Sequence, residues 1–213
     1  MGVFAGAAVL VAYAGWSSLY RRAKVKTPDL WPTKITDTAR IAGLTRAYGP
    51  ENAPYVLRLI SDFRCPACAA AETTVVRTAK SLADAKILQL VVHDLPGSGN
   101  AVGALVAATC ASTIDASKYW LYRVVLFASR DGWIKTYPPE PALFRMANSL
   151  GIDSVALKRC VETQGSRIAT NGNELAKTVA NGGINYTPAW SLQDSVFVTE
   201  EIANRLRILQ GMR

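Results

Sequence analysis

Histidine and cysteine are scarce in this chain of 213 residues, which carries one His and four Cys. A lone His removes a multi-histidine metal centre from consideration. Four cysteines are too few to staple a chain of this length in the way of a disulfide-rich miniprotein, so their work is local. Charge is thin as well, at 19% of residues against 50% apolar, a balance that excludes a disordered chain and a collagen-like repeat. Long apolar runs are limited to one, at the N-terminus, which excludes a transporter of many spans. No internal repeat or low-complexity tract appears beyond Ala-rich patches. At roughly 100–200 residues per domain, the length holds one ordinary domain with a modest surplus.

The charge of +8 comes from 24 Lys and Arg against 16 Asp and Glu. Arg21, Arg22, Lys24 and Lys26 supply four of these positive charges within six residues, directly after the apolar run. The rest is spread thinly, with no basic stripe interleaved with aromatics, so nucleic acid is not an expected partner. From Gly2 to Tyr20 there is no charged side chain, and about 19 residues of helix span a bilayer core of about 30 Å. Trp16 and Tyr20 then fall where an aromatic belt belongs, followed by Arg21 and Arg22 as a juxtamembrane flank. A single transmembrane anchor over residues 1–21 is the expectation. A cleaved signal segment, with Ala12-Tyr13-Ala14 as its small-residue site, is the competing reading, and it lacks a basic leading region.

Past the anchor, Thr27-Pro28 and Trp31-Pro32 mark an extended linker. Residues 35–48 are expected to form a short helix with Ile35, Ala39, Ala42 and Leu44 on one side, closed by Gly49-Pro50; linker and helix together fill 22–48. Two strands follow at 55–60 (YVLRLI) and 87–92 (ILQLVV), separated by a helix over 66–82. Beyond a Gly-rich loop at 96–99, helices are expected at 101–113, 117–129, 141–150, 154–163 and 167–181. Short strands at 189–192 and 195–198, paired as a hairpin around Gln193-Asp194, and a last helix at 200–209 complete the chain. The order is β-α-β, a run of helices, then β-β-α.

Cys65-Pro66-Ala67-Cys68 carries explicit chemistry. Two thiols separated by two residues, where a strand ends and a helix begins, bridge with little backbone movement. The first sits at a helix N-terminus, where unpaired N–H groups and the dipole favour a thiolate, which makes Cys65 the nucleophile. Cys68, one turn on and more buried, is the resolving thiol. Pro66 suits the first helical turn, where its missing N–H costs nothing. A zinc pair would need two further ligands, and Cys110, Cys160 and His93 do not supply them at plausible spacing. His93 is expected to be a capping or surface imidazole. Glu72 stands either as a buried proton acceptor for Cys68 or as a solvated helix residue.

Several stretches together resemble the DsbA-like thiol-disulfide oxidoreductases. These are Gly49-Pro50-Glu51-Asn52-Ala53-Pro54, the strand with its Ser61-Asp62-Phe63 step, the CPAC turn, His93-Asp94-Leu95-Pro96, and Asn185-Tyr186-Thr187-Pro188-Ala189-Trp190. The resemblance covers roughly residues 49–211 and implies an α/β chain with a thioredoxin-like fold, a helical domain inserted over about 98–181, and the N-terminal anchor in front. It implies that Pro188 is cis and faces the cysteine pair, with Thr187 offering backbone to a substrate strand. Glu72 falls where many members carry an acid beneath the active site. Cys110 and Cys160 lie in two helices that some relatives link by a second, non-catalytic disulfide.

The function implied is a membrane-anchored enzyme that forms or exchanges disulfides in exported proteins. Its partners would be cysteine-containing substrates and a membrane quinone-linked thiol oxidase, and it needs no cofactor. The alternative is a thioredoxin-like accessory subunit of a membrane protein complex with little turnover. The basic flank argues for a cytoplasmic domain by the positive-inside rule, whereas the resemblance implies an extracytoplasmic or periplasmic one, and long domains translocate despite flanking charge. The outside is the expectation. Three departures bear on potency: Ala67 stands where the strongest oxidants carry His, Tyr186 stands where small residues are usual, and residues 191–196 lack an Asn-Gly turn.

Overall fold

A computed structural model describes residues 33–41, 43–193 and 195–211. The anchor expected over residues 1–21 lies outside them, as does the linker through residue 32. Among the described residues no helix is long and apolar enough to cross a membrane.

Helix α1 (Thr33–Ile41) leads into β1 (Thr45–Tyr48) and β2 (Tyr55–Asp62). Then come α2 (Pro66–Ala71), a π-helical turn (Glu72–Val76), α3 (Arg77–Asp84) and β3 (Leu88–Leu95). Five helices separate β3 from β4: α4 (Asn100–Ile114), α5 (Ala116–Ala128), α6 (Arg130–Trp133), α7 (Glu140–Ser149) and α8 (Ser154–Asn181). Strands β4 (Ala189–Leu192) and β5 (Ser195–Phe197) and helix α9 (Thr199–Gly211) close the chain.

The strands form one sheet in the order β1-β3-β2-β4-β5. β2 and β3 run parallel at its centre, with Leu57 opposite Leu90 and Leu59 opposite Val92, all four buried. Strands enclosed on both faces read as near-continuous apolar runs, which is why YVLRLI and LQLVV stand out in the sequence. β1 joins β3, β4 joins β2 and β5 joins β4, each antiparallel. α9 packs on α3, the π-helical turn and β4, while α1 packs on α8. Ser61 and Asp94 are register partners at the C-terminal ends of β2 and β3. Side chains alternate along a strand, so their face is opposite to that of His93.

The structure corrects several expectations. The helix over residues 35–48 ends at Ile41, and residues 45–48 are an edge strand instead. Gly43, at φ +70°, ends the helix in a backbone conformation open to glycine, and Thr45 then pairs with His93. The two helices at 154–163 and 167–181 are one helix of 28 residues. Gly165 does not break it; a methyl group there would come within 3.4 Å of Val106, so the glycine admits close packing of α4. β3 runs on to Leu95, and the helix after Pro66 contains the π-helical turn.

Candidate active site

Cys65 caps the N-terminus of α2 from extended backbone, with Pro66 in the first turn. Its sulfur accepts the Cys68 backbone N–H at 3.1 Å, so one of the orphan donors of the helix start is spent on sulfur. Cys65 is partly exposed and Cys68 buried, and both are free thiols. The Cys65 thiol is pulled down to about 6: the Cys68 thiol donates to it, the Thr187 side chain and the backbone N–H groups of Cys68 and Ala67 add to this, and burial opposes them. The same contact with Cys65, and then burial, push Cys68 up. A strand-to-helix turn thus builds one thiolate-forming sulfur at the surface and one protonated sulfur beneath it.

The Thr187-Pro188 peptide is cis, and the Thr187 carbonyl accepts the Cys65 thiol at 3.3 Å. The loop before β4 therefore lies against the Cys65 sulfur across 122 residues of sequence. Pro188 is buried and Thr187 half-buried, while Tyr186 beside them is exposed. A second loop meets the turn from β3. Gly97 adopts φ +59°, and a methyl group there would come within 2.5 Å of Asp62 Oδ1. Asp62 in turn accepts the Arg64 backbone N–H at 2.7 Å, and burial raises its carboxyl above the usual range. Arg130 Nε donates to the Arg64 carbonyl at 2.6 Å, tying α6 to the same turn.

Beneath the thiols lies a buried charged floor. Arg123, fully buried in α5, donates from Nε to Glu72 Oε2 at 2.9 Å, from Nη1 to Asp94, and from Nη2 to Ser61 Oγ at 2.9 Å. Tyr119, one turn before Arg123, donates to the same Asp94 carboxylate. The Phe127 and Phe63 rings flank the guanidinium, with centroids 4.9 and 5.6 Å away. Glu72 is 4% exposed; burial raises its carboxyl, and the charge of Arg123 opposes the rise without overcoming it. Its other oxygen, Oε1, has no hydrogen-bond partner. Cys68 and Glu72 are four residues apart on one helix, where side chains share a face about 5–6 Å apart at Cβ. Of the two readings of Glu72, the solvated one is overturned, because the carboxyl is buried.

Cys110 and Cys160 form a disulfide between α4 and α8, with Cα atoms 5.7 Å apart. His93 is neither a cap nor at the surface. It is fully buried in β3, its Nδ1 paired with Thr45 Oγ1 at 3.1 Å and its Nε2 unpartnered, and burial draws its pKa down to about 3. The sequence reading missed Arg123 and Tyr119 and gave no role to Ser61, Asp62 or Asp94. One signal was present: YWLYRVVLF places a single charge in an apolar helix, with Tyr119 at i−4.

Solved structures of thiol-disulfide oxidoreductases share this fold. BdbD from Bacillus subtilis, in its oxidised form, is 18% identical with a TM-score of 0.65, covering 78% of this chain and 95% of its own. The thiol-disulfide exchange protein alpha-DsbA2 from Wolbachia pipientis is 17% identical with a TM-score of 0.64, covering 83% of this chain and 97% of its own. MdbA from Corynebacterium diphtheriae, a thiol-disulfide oxidoreductase, is 18% identical with a TM-score of 0.64 over 75% and 84%. No curated protein sequence matches the chain. The thioredoxin family model matches residues 42–208, which include CPAC, the charged floor and the Thr187-Pro188 loop. With well over half its length inside that match, the chain belongs to the thioredoxin family.

Proposed function

We propose that the chain is an enzyme, a thiol-disulfide oxidoreductase acting on cysteine-containing protein substrates. The observation that carries this reading is the asymmetric pair itself. Cys65, partly exposed and drawn to about 6, faces the Thr187 carbonyl, with the protonated Cys68 beneath it. In the oxidising direction a substrate thiolate attacks Cys65 Sγ, the Cys65–Cys68 bond breaks, and Cys68 leaves with the electron pair and gains a proton. A second substrate thiol, as thiolate, then attacks the substrate sulfur of the mixed disulfide and releases the Cys65 thiolate, leaving substrate oxidised and enzyme reduced. A low thiol pKa makes Cys65 the better leaving group in that second step. Thr187 and Pro188 form the groove that holds the substrate strand, and Glu72 exchanges the proton of Cys68.

The Cys110–Cys160 bond serves as a brace within the helical insertion, and its presence supports an oxidising compartment. The uncharged segment from Gly2 to Tyr20 supports a single membrane anchor with the domain on the extracytoplasmic side. A membrane quinone-linked thiol oxidase is the reoxidant proposed for such a placement.

The test is the reduction potential of the Cys65/Cys68 pair in the full chain, by glutathione titration with thiol trapping. A Cys110→Ser, Cys160→Ser variant measured alongside separates the two pairs. A two-electron transition above about −200 mV supports an oxidant, and one below about −270 mV assigns the pair to reduction instead. Absence of exchange in the wild type, matching a Cys65→Ser control, would overturn the enzyme reading and leave an accessory subunit.

A further inference from the structure

The exchange chemistry leaves Tyr186 without a role. This residue is 45% exposed and directly precedes Thr187, whose carbonyl accepts the Cys65 thiol at 3.3 Å. Among the described residues the other large apolar side chains in the open are Leu121, Val124, Tyr137, Val155, Val198 and Ile208, and none belongs to this loop or to the CPAC turn. The helix side of Cys65 presents Pro66, Ala67 and Ala70, whose small side chains offer little area for contact. A large ring therefore stands on one side of the Cys65 sulfur and small side chains on the other.

The loop that carries the ring is held at both ends. Ile184 is buried and its backbone N–H donates to the Val179 carbonyl at 3.2 Å, while Pro188 is buried where β4 begins. An aromatic side chain on anchored backbone offers a large contact area and loses little conformational freedom when it is covered. The partner of Thr187 changes during exchange. Once Cys65 is bonded to a substrate sulfur it has no proton to donate, so the Thr187 carbonyl is released to accept a backbone N–H of the substrate strand. Tyr186 is one step along the loop, about 3.8 Å away between Cα atoms. Facing side chains in such a pairing lie about 5 Å apart at Cβ, within reach of a ring.

We propose that Tyr186 is a specificity-determining residue, whose ring selects substrate cysteines flanked by an aromatic or large aliphatic side chain. The inference rests on the reading of the chain as a thiol-disulfide oxidoreductase and names its substrate class. Side chains of this kind are mostly enclosed once a protein has folded. Cysteines beside them are open to Tyr186 in unfolded chains, which are thereby favoured over folded ones. The ring acts on the capture of substrate and leaves the Cys65 sulfur to its own helix start.

The test is the rate at which the oxidised full chain oxidises short reduced peptides that carry two cysteines, followed by acid quench and mass spectrometry. The residue on either side of the first cysteine is in turn Phe, Leu, Ala or Asp. Each rate is divided by that of the same protein with dithiothreitol, a dithiol that presents no flanking residue. In the wild type the Phe peptides are expected to react about tenfold and the Leu peptides about threefold faster than the Ala peptides. Tyr186→Ala is expected to bring both ratios to about twofold or less, and Tyr186→Phe, which keeps the ring, to restore them. The midpoint of Cys65 alkylation is expected to stay in place in both variants; a moved midpoint would show that Tyr186 acts on Cys65 and not on substrate, and would overturn the proposal. Equal wild-type rates for Phe and Ala peptides, with exchange proceeding, would overturn the selectivity and leave the oxidoreductase reading intact. Ratios that persist in Tyr186→Ala would overturn the assignment to this ring. No exchange even with dithiothreitol would overturn the enzyme reading and the proposal with it.

Discussion

Cys65 and Cys68 stand three residues apart on a strand-to-helix turn, whereas Cys110 and Cys160 are separated by 50 residues and joined across two helices. The first pair has a helix start above it, with backbone N–H groups aimed at sulfur, and a network of buried charge below. Of the second, Cys110 lies among alanines inside α4 and Cys160 inside α8, where each backbone N–H is taken by its own helix and none is left for a thiolate. Sulfur chemistry is the same in both places. Helix position and burial set the two pairs apart, one with a free thiol at a helix start and the other bonded between two helices, so each pair has its own way of failing.

The largest effect is expected from breaking the floor under the reactive pair. Arg123→Met would leave the Glu72 and Asp94 carboxylates buried against an apolar side chain, and removing one partner of a buried ion pair costs about 3–5 kcal/mol. Urea unfolding measures this loss; a change below about 1 kcal/mol would show that the floor does not support the fold. The brace comes next. Cys110→Ser with Cys160→Ser opens a loop of 50 residues and is expected to cost about 2–4 kcal/mol in the same assay. Exchange at Cys65 should survive in that variant, and its loss would mean that the two pairs are coupled.

The same contrast explains what the sequence made readable. The CPAC turn is legible because its chemistry is local: four consecutive residues, a proline fit for a first helical turn, and a strand before them. The floor is not, because Ser61, Glu72, Asp94, Tyr119 and Arg123 come from four elements spread over more than 60 residues; the register of β2 with β3 sets Ser61 beside Asp94, and only the folded position of Arg123 joins them to Glu72. β1 escaped because Thr45-Arg46-Ala47-Tyr48 is too short to show period-two alternation next to a helical pattern. His93 was misplaced for a related reason, since a lone imidazole carries no signal of its burial and β3 runs three residues past the expected end.

That burial has a measurable consequence, smaller than the loss of Arg123 or of the brace. His93 is drawn down to about 3 in the folded chain, against 6.5 for an unburied imidazole. Between those values the unfolded chain binds a proton that the folded one refuses, so stability falls as pH falls from 6.5 toward 3, by up to about 1.4 kcal/mol per pH unit. A His93→Leu variant should lose that part of the slope in urea titrations run across the window. An unchanged slope would show that His93 does not set the acid sensitivity, because the buried Glu72 and Asp62 carboxyls, raised in the folded chain, contribute with the opposite sign.

The smallest expected shift is the one that divides the reactive pair most finely. The largest cause of the lowered Cys65 thiol is the hydrogen bond from Cys68, followed among the favourable ones by the Thr187 side chain and the N–H groups of residues 68 and 67. Cys68→Ala removes the first and keeps the backbone donors, because alanine holds the helix start as well as cysteine does. The midpoint of Cys65 alkylation by iodoacetamide should therefore rise from about 6 yet stay below the ordinary 9. A midpoint left at about 6 would assign the thiolate to the helix N-terminus and the Thr187 loop alone, and a midpoint at 9 would assign it wholly to the partner sulfur. In a Cys160→Ser chain, Cys110 has neither aid. It should resist alkylation while folded, which is the difference between a sulfur at the start of a helix and one inside it.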